Sequence, residues 1–242
     1  MKAFLLAAGH GTRLRPLTDS IPKCLVPIRG TPMLRIWLEL CRRYGINKVL
    51  INLHAHADQV RAYLSRENCG PAVEVFEEPT LLGSAGTLLA NRGWIDSDEL
   101  FWVFYADVLT TVNLGRMLDF HRSHGACATL GVYSVPDPSR CGVITADPRG
   151  VVRNFVEKPL HPTSNVVFSG ILIGTQAMLS AIPAVPQADI ARHLLPNLLG
   201  RMYAYPISEF LVDIGTMNNY RFAQESWPGL LGSKSDSGLT SC

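Results

Sequence analysis

Four residues near the start of the chain are spaced to hold an anion. Phe4-Leu5-Leu6-Ala7-Ala8 is an apolar run the length of one buried strand. It breaks at Gly9-His10-Gly11, and Arg13 and Lys23 follow at close range. Glycines let backbone N–H groups approach an anion, an arginine fork grips two oxygens at once, and a lysine adds a point charge. Together they suit a polyphosphate. Two common nucleotide motifs do not account for them. The chain has no P-loop, and the third glycine of the dinucleotide fingerprint is replaced by Leu14.

The full string is more specific than the glycine pair. Gly9-His10-Gly11-Thr12-Arg13-Leu14, then Pro16-Leu17-Thr18, then Pro22-Lys23-Cys24-Leu25-Val26-Pro27 resembles the opening of the sugar-1-phosphate nucleotidylyltransferases, the enzymes that make nucleotide sugars. The likeness continues in order to residue 226, through Leu82-Gly83-Ser84-Ala85-Gly86, Ala106-Asp107, Cys141-Gly142-Val143, Glu157-Lys158-Pro159, Ser164-Asn165 and Asp213-Ile214-Gly215-Thr216. It implies a Rossmann-like α/β fold with a small β-rich sugar-binding portion. The implied reaction joins an NTP and a sugar 1-phosphate into an NDP-sugar and pyrophosphate. Arg13 and Lys23 are then the catalytic cations, on the β- and γ-phosphates and on the α-phosphate. The nucleotide falls to Leu6, Ala8, Gly9, Gly11, Thr12, Arg13, Lys23, Glu78 and Gly83, and the sugar phosphate to Gly142, Glu157, Lys158 and Asn165.

Asp107 and Asp213 each follow an apolar run, where magnesium shared between one or two carboxylates and substrate oxygens could sit, and the family gives both that role. Taken singly, an Asp at a strand end is more often a turn or helix cap. The chain departs from the family at Ala106, for Gly, at Leu211, often Trp, and at Cys141, where the family has Tyr.

An ionised carboxylate only accepts hydrogen bonds, so Glu78 complements the adjacent N1–H and N2–H donors of guanine. Leu82 to Gly86 is also similar to the corresponding loop of mannose-1-phosphate and heptose-1-phosphate guanylyltransferases. GTP with a mannose- or heptose-type phosphate is therefore the favoured pair. The alternatives are glucose-1-phosphate thymidylyl- or uridylyltransfer and MurNAc-1-phosphate uridylyltransfer. Outside enzymes, the rival is an inactive subunit that only binds nucleotide sugars.

Composition narrows the partners. A net charge of +2 with 17% charged residues gives no basic stripe for nucleic acid, so the expected partners are small molecules, with a homo-oligomer left open. Six cysteines without a Cys-x-x-Cys pair fit reduced thiols in the cytoplasm. Ala3 to Ala8 is too short for a secretory apolar region, and no run approaches a membrane span.

The elements that must position these residues alternate. Apolar strand-like runs at 4–8, 48–53, 72–76, 101–106 and 127–133 are separated by amphipathic helix patterns at 32–44, 58–65 and 114–121. That order predicts a mostly parallel sheet covered by helices on both faces, with ligands at the carboxyl ends of its strands. Strand candidates at 141–145, 151–157 and 166–173, a helix over 189–199, strands within 203–212 and a helix over 217–226 make up the second half. The expected organisation is one domain over 1–227, nucleotide-binding to about 125 and sugar-phosphate-binding beyond, then a disordered tail over 228–242.

Overall fold

The apolar run after Lys2 forms a strand whose Ala3, Phe4 and Leu5 are inaccessible to solvent. In the computed structural model, which describes residues 1–66, 70–96 and 99–230, this strand lies inside a nine-stranded sheet. In chain order the strands are β1 (Lys2–Leu6), β2 (Pro27–Ile28), β3 (Thr31–Pro32), β4 (Lys48–Leu53), β5 (Ala72–Glu77), β6 (Phe101–Tyr105), β7 (Val108–Thr110), β8 (Ala128–Ser134), β9 (Gly142–Ala146), β10 (Val152–Glu157), β11 (Val166–Gly174), β12 (Met202–Pro206) and β13 (Leu211–Asp213). The helices are α1 (Leu17–Ser20), α2 (Met33–Arg43), α3 (Ala57–Leu64), α4 (Ser84–Ala90), α5 (Leu114–His124), α6 (Gln176–Leu179) and α7 (Met217–Ser226).

The first half of the sheet is parallel, in the order β6-β1-β4-β5. Period-two alternation sorts its side chains onto two faces. Ala3, Leu5, Val49, Ile51, Trp102 and Phe104 meet α2, α3 and α5, while Phe4, Leu50, Phe101 and Val103 meet α4, α6 and the segment after Asp189. Beyond β6 the sheet turns antiparallel. β11 pairs with β8 along one edge and with β6 and β9 along the other, and β10 closes a hairpin with β9. A third cluster, built on Leu14, Met33, Leu109, Val212, Ile214 and Trp227, fastens the glycine loop to β7, β13 and α7.

Three details depart from the sequence pattern. The helix expected over 189–199 is a wide turn at Ile190–Leu194 followed by a tight one at Leu195–Leu198. Pro196 has no N–H to continue a regular ladder. The sequence pattern assigns no helix over the segment that forms α4. The tail begins inside the described structure. Trp227 is buried, Leu230 packs against two of the core clusters, and residues 227–230 line a groove of about 600 Å³ with Ile28, Arg29 and Ile36. Residues 231–242 lie outside the described part. No helix among the described residues is long and apolar enough to cross a membrane.

Candidate active site

The glycine loop is held from beneath. Gly11 has φ +64°, and a Cβ there would come within 2.9 Å of the Thr18 methyl. Thr18 Oγ1 donates to the Gly11 carbonyl at 2.7 Å, and the Leu14 amide to the same oxygen at 2.9 Å. Leu14 is fully buried and anchors the turn, which leaves Thr12 and Arg13 exposed. At Gly9 a Cβ would meet nothing within 4 Å, so the backbone there faces open space.

Asp107 leaves β6 and Asp213 ends β13. The short antiparallel pair of β7 and β13 brings the two together, with Val108 opposite Asp213 and the Ile214 amide donating to the Asp107 carbonyl at 2.8 Å. Lys23, in a turn after Pro22, donates to Asp107 Oδ2 at 2.5 Å. Asp213 Oδ1 is buried with no partner among the described residues. Burial first, and the Asp107 charge second, push the Asp213 carboxyl up to about 6, against the pull of Lys23, Arg13 and Lys158. A Cβ at Gly215 would fall 2.7 Å from that orphan oxygen and 3.1 Å from Arg13 Nη2, so only glycine leaves this cradle open. An unpaired buried carboxylate oxygen beside a second carboxylate is costly, and a cation relieves it. No group of three or more His, Cys, Asp or Glu placed to hold a metal ion occurs among the described residues. Two carboxylates with room for phosphate oxygens fit magnesium, which rarely takes an all-protein cage.

Between the loop and the sheet lies a cavity of about 260 Å³. It is lined by Leu6, Ala8, Gly9, Lys23, Glu78, Gly83 and Asp107 from the sequence candidates, together with Asn52, Ser84 and Tyr105, which sequence reasoning missed. Gly11, Thr12 and Arg13 stand outside this lining. Asn52 carried a signal, since it is the one polar residue between Val49 and Leu53 in a buried strand.

Glu78 is 2% exposed and its oxygens are engaged within the protein. Oε1 accepts from Asn52 Nδ2 at 2.8 Å and Thr87 Oγ1 at 2.5 Å, and Oε2 accepts from the Leu82 amide at 2.9 Å. Asn52 Oδ1 in turn accepts from the Ala7 amide at 2.7 Å. This network ties β1, β4 and α4 together. It leaves Glu78 room for one further donor at Oε2, where the guanine reading uses two.

Gly83 has φ +80°, and a Cβ there would strike the Ala188 carbonyl at 2.4 Å. The Ala85 and Gly86 amides both donate to that carbonyl at 2.9 Å, and Ser84 Oγ donates to Asp189 Oδ2 at 2.9 Å while accepting from the Ile190 amide at 2.7 Å. The first turn of α4 is therefore committed to the protein itself.

On the far side, Glu157 ends β10 opposite Gly142, where a Cβ would come within 3.1 Å of Glu157 Oε2. Lys158 follows with φ +50°; its amide donates to the Cys141 carbonyl at 2.9 Å, and its Nζ lies 3.4 Å from Glu157 Oε1. Burial, then the charges of Asp213 and Glu157, push the Cys141 thiol up, and Tyr133 is pushed up by burial and by Cys141, Asp213 and Asp107. Cys141, Glu157 and Lys158 thus gather within electrostatic reach of the aspartate pair. Asn165 lines a shallow separate dip with Asp137, Ser139 and Ser164.

Two carboxylates, a lysine on one of them and a glycine loop thus meet beside one Rossmann-like sheet, an arrangement with the groups to hold phosphates. Residues 2–227 match the nucleotidyl transferase family, and the chain belongs to it. It is 34% identical over 224 residues to the mannose-1-phosphate guanylyltransferase catalytic subunit beta of Drosophila pseudoobscura pseudoobscura, covering 90% of this chain and 60% of that one. It is 33% identical over 248 residues to mannose-1-phosphate guanylyltransferase 1 of Arabidopsis thaliana, covering 100% and 68%. The chain thus spans 60% of the length of the first of these relatives. Among solved structures, HddC from Yersinia pseudotuberculosis complexed with GMP-PN superposes with a TM-score of 0.79 at 23% identity, covering 93% of this chain and 99% of that one. UDP-glucose pyrophosphorylase from Acinetobacter baumanii gives 0.81 at 21%, covering 92% and 91%. At these identities the structural likeness establishes the fold.

Proposed function

We propose that the chain transfers the nucleotidyl group of an NTP to a sugar 1-phosphate, releasing pyrophosphate, with GTP and mannose 1-phosphate as its preferred pair. The observation that carries this reading is the meeting of Asp107 and Asp213 through β7 and β13, beside Lys23 at the cavity edge and with Lys158 in reach from the other side. Arg13 and Lys23 offset the charge of the NTP phosphates, and Lys158 that of the sugar phosphate. An oxygen of the sugar phosphate attacks the α-phosphorus in line, and pyrophosphate leaves with the electrons of the broken P–O bond. No covalent intermediate is required, so catalysis lies in alignment and charge neutralisation. Asp107 and Asp213 would hold a divalent cation, which when bound screens the phosphates from each other and from the carboxylates.

The base and sugar rest on the relatives named as mannose-1-phosphate guanylyltransferases. A panel of NTPs crossed with sugar 1-phosphates, read by pyrophosphate release, tests the reading. GTP with mannose 1-phosphate should be fastest; faster release from dTTP or UTP with glucose 1-phosphate would replace the substrate pair, and none from any pair would end the assignment.

A further inference from the structure

Asn52 is a polar residue in the buried run of β4, and its side chain lines the cavity together with Glu78. Ala7, just after β1 and on the way into the glycine loop, donates its backbone amide to Asn52 Oδ1 at 2.7 Å. A backbone N–H can only donate, so this bond fixes which end of the Asn52 amide is the oxygen. The other end is then the NH2. Both of its hydrogens are engaged, one by Glu78 Oε1 at 2.8 Å and one by Thr87 Oγ1 at 3.0 Å. Thr87 Oγ1 in turn donates to the same Glu78 oxygen at 2.5 Å.

Glu78 Oε1 is thereby filled. The capacity left for a ligand is on Oε2, which accepts from the Leu82 amide at 2.9 Å and has room for one donor more. An acceptor there suits the N1–H of guanine and opposes the bare N1 of adenine, a base of the same outline.

We propose that Asn52 decides which kind of atom Glu78 offers to the base, which makes it a positioning residue for nucleotide choice. The inference rests on the guanylyl-transfer reading and names what enforces it. A carboxylate has two equal ends, so the clamp leaves no mark in the parent. An amide at position 78 has unequal ends. Asn52 holds its oxygen in the place of Oε1, and the NH2 is left facing the Leu82 amide and the base. With Asn52→Asp added, that amide turns over. The new carboxylate still accepts from Ala7, and its second oxygen takes a hydrogen from the turned NH2 and from the Thr87 hydroxyl. Every donor in the cluster then has an acceptor, and an oxygen again stands in the place of Oε2.

The test is the double-mutant cycle of Asn52→Asp and Glu78→Gln, read by melting temperature and by pyrophosphate release from GTP and from ATP with mannose 1-phosphate. Glu78→Gln should melt about 4 °C or more below the parent, and its preference for GTP over ATP should fall about tenfold or more. Asn52→Asp sets two acceptors 2.8 Å apart and should also melt lower. The double variant should melt above either single one and prefer GTP over ATP as the parent does. KM for mannose 1-phosphate should not move in any variant that folds. A Glu78→Gln variant that keeps the parent's preference overturns the inference, and so does a double variant that folds without regaining it. If neither single variant folds, the double variant decides by the same two readouts. A parent that releases no pyrophosphate from any pair, or prefers ATP, ends the underlying reading and this inference with it. An active parent that prefers GTP, with a double variant still impaired, sinks the role of Asn52 alone.

Discussion

Asp213 is costly to its own fold. Its carboxyl is buried beside Asp107 with one oxygen unpartnered, and its pKa stands near 6 against an ordinary 3.8. A group whose folded pKa is raised favours the fold only while protonated. The side chain therefore takes stability away as pH climbs from about 3.8 to about 6, and the loss is complete above that. Asp213→Asn keeps the shape and removes the charge. At neutral pH this variant should melt higher, by the equivalent of about 1–3 kcal/mol, while turnover drops by orders of magnitude. Magnesium should raise the melting temperature of the parent and leave that of the variant where it was. A variant that melts lower than the parent, or gains as much from magnesium, would falsify this account of the carboxylate pair.

Among the elements, α4 shows how much rests on one position. Its first turn hangs on the Ala188 carbonyl, and Gly83 has to let that carbonyl approach to 2.4 Å of where a Cβ would stand. Gly83→Ala meets both the clash and a φ of +80°, so it should cost at least about 2 kcal/mol in thermal unfolding. Gly9→Ala has open space around it and should melt like the parent, but its methyl enters the cavity and should raise KM for the NTP. Equal melting temperatures for the two alanine variants would count against the role given to Ala188. The same element marks the limit of what the sequence discloses. β1, β4, β6, α2 and α7 are legible in it because their apolar residues keep period over a whole element, as Met33, Ile36, Trp37, Leu40 and Cys41 do. The helix that begins at Ser84 is not assigned from the sequence, since the carbonyl that caps its first turn, that of Ala188, is a hundred residues away. β7 is three residues, too short for a pattern, and its pairing with β13, which joins Asp107 to Asp213, is not written in either segment although a strand is expected near 212. Glu78 was legible as a pocket residue, whereas its bonds to Asn52, Thr87 and Leu82 depend on tertiary contacts that no local spacing announces.

Across the whole molecule, segments distant in sequence meet in the third cluster, where Leu14 from the glycine loop and Trp227, just after α7, share one core. Leu230 extends that contact, so a chain ended after Trp227 should melt below one ended after Leu230 by about 1 kcal/mol. Identical melting curves for the two truncations would show that Leu230 adds nothing. The sheet itself has a mechanical consequence. β11 is hydrogen-bonded along one edge to β6, which leads into Asp107, and to β9, which carries Gly142, and along its other edge to β8. One strand is thus the common spine of the two substrate sites proposed above. Two lobes joined by a hinge must find their alignment again at every turnover, but sites riveted to the same strand are aligned when the chain folds. On that proposal, any motion that admits substrates falls to the loops, and the alignment of the two sites is a property of the native state rather than of a closing step.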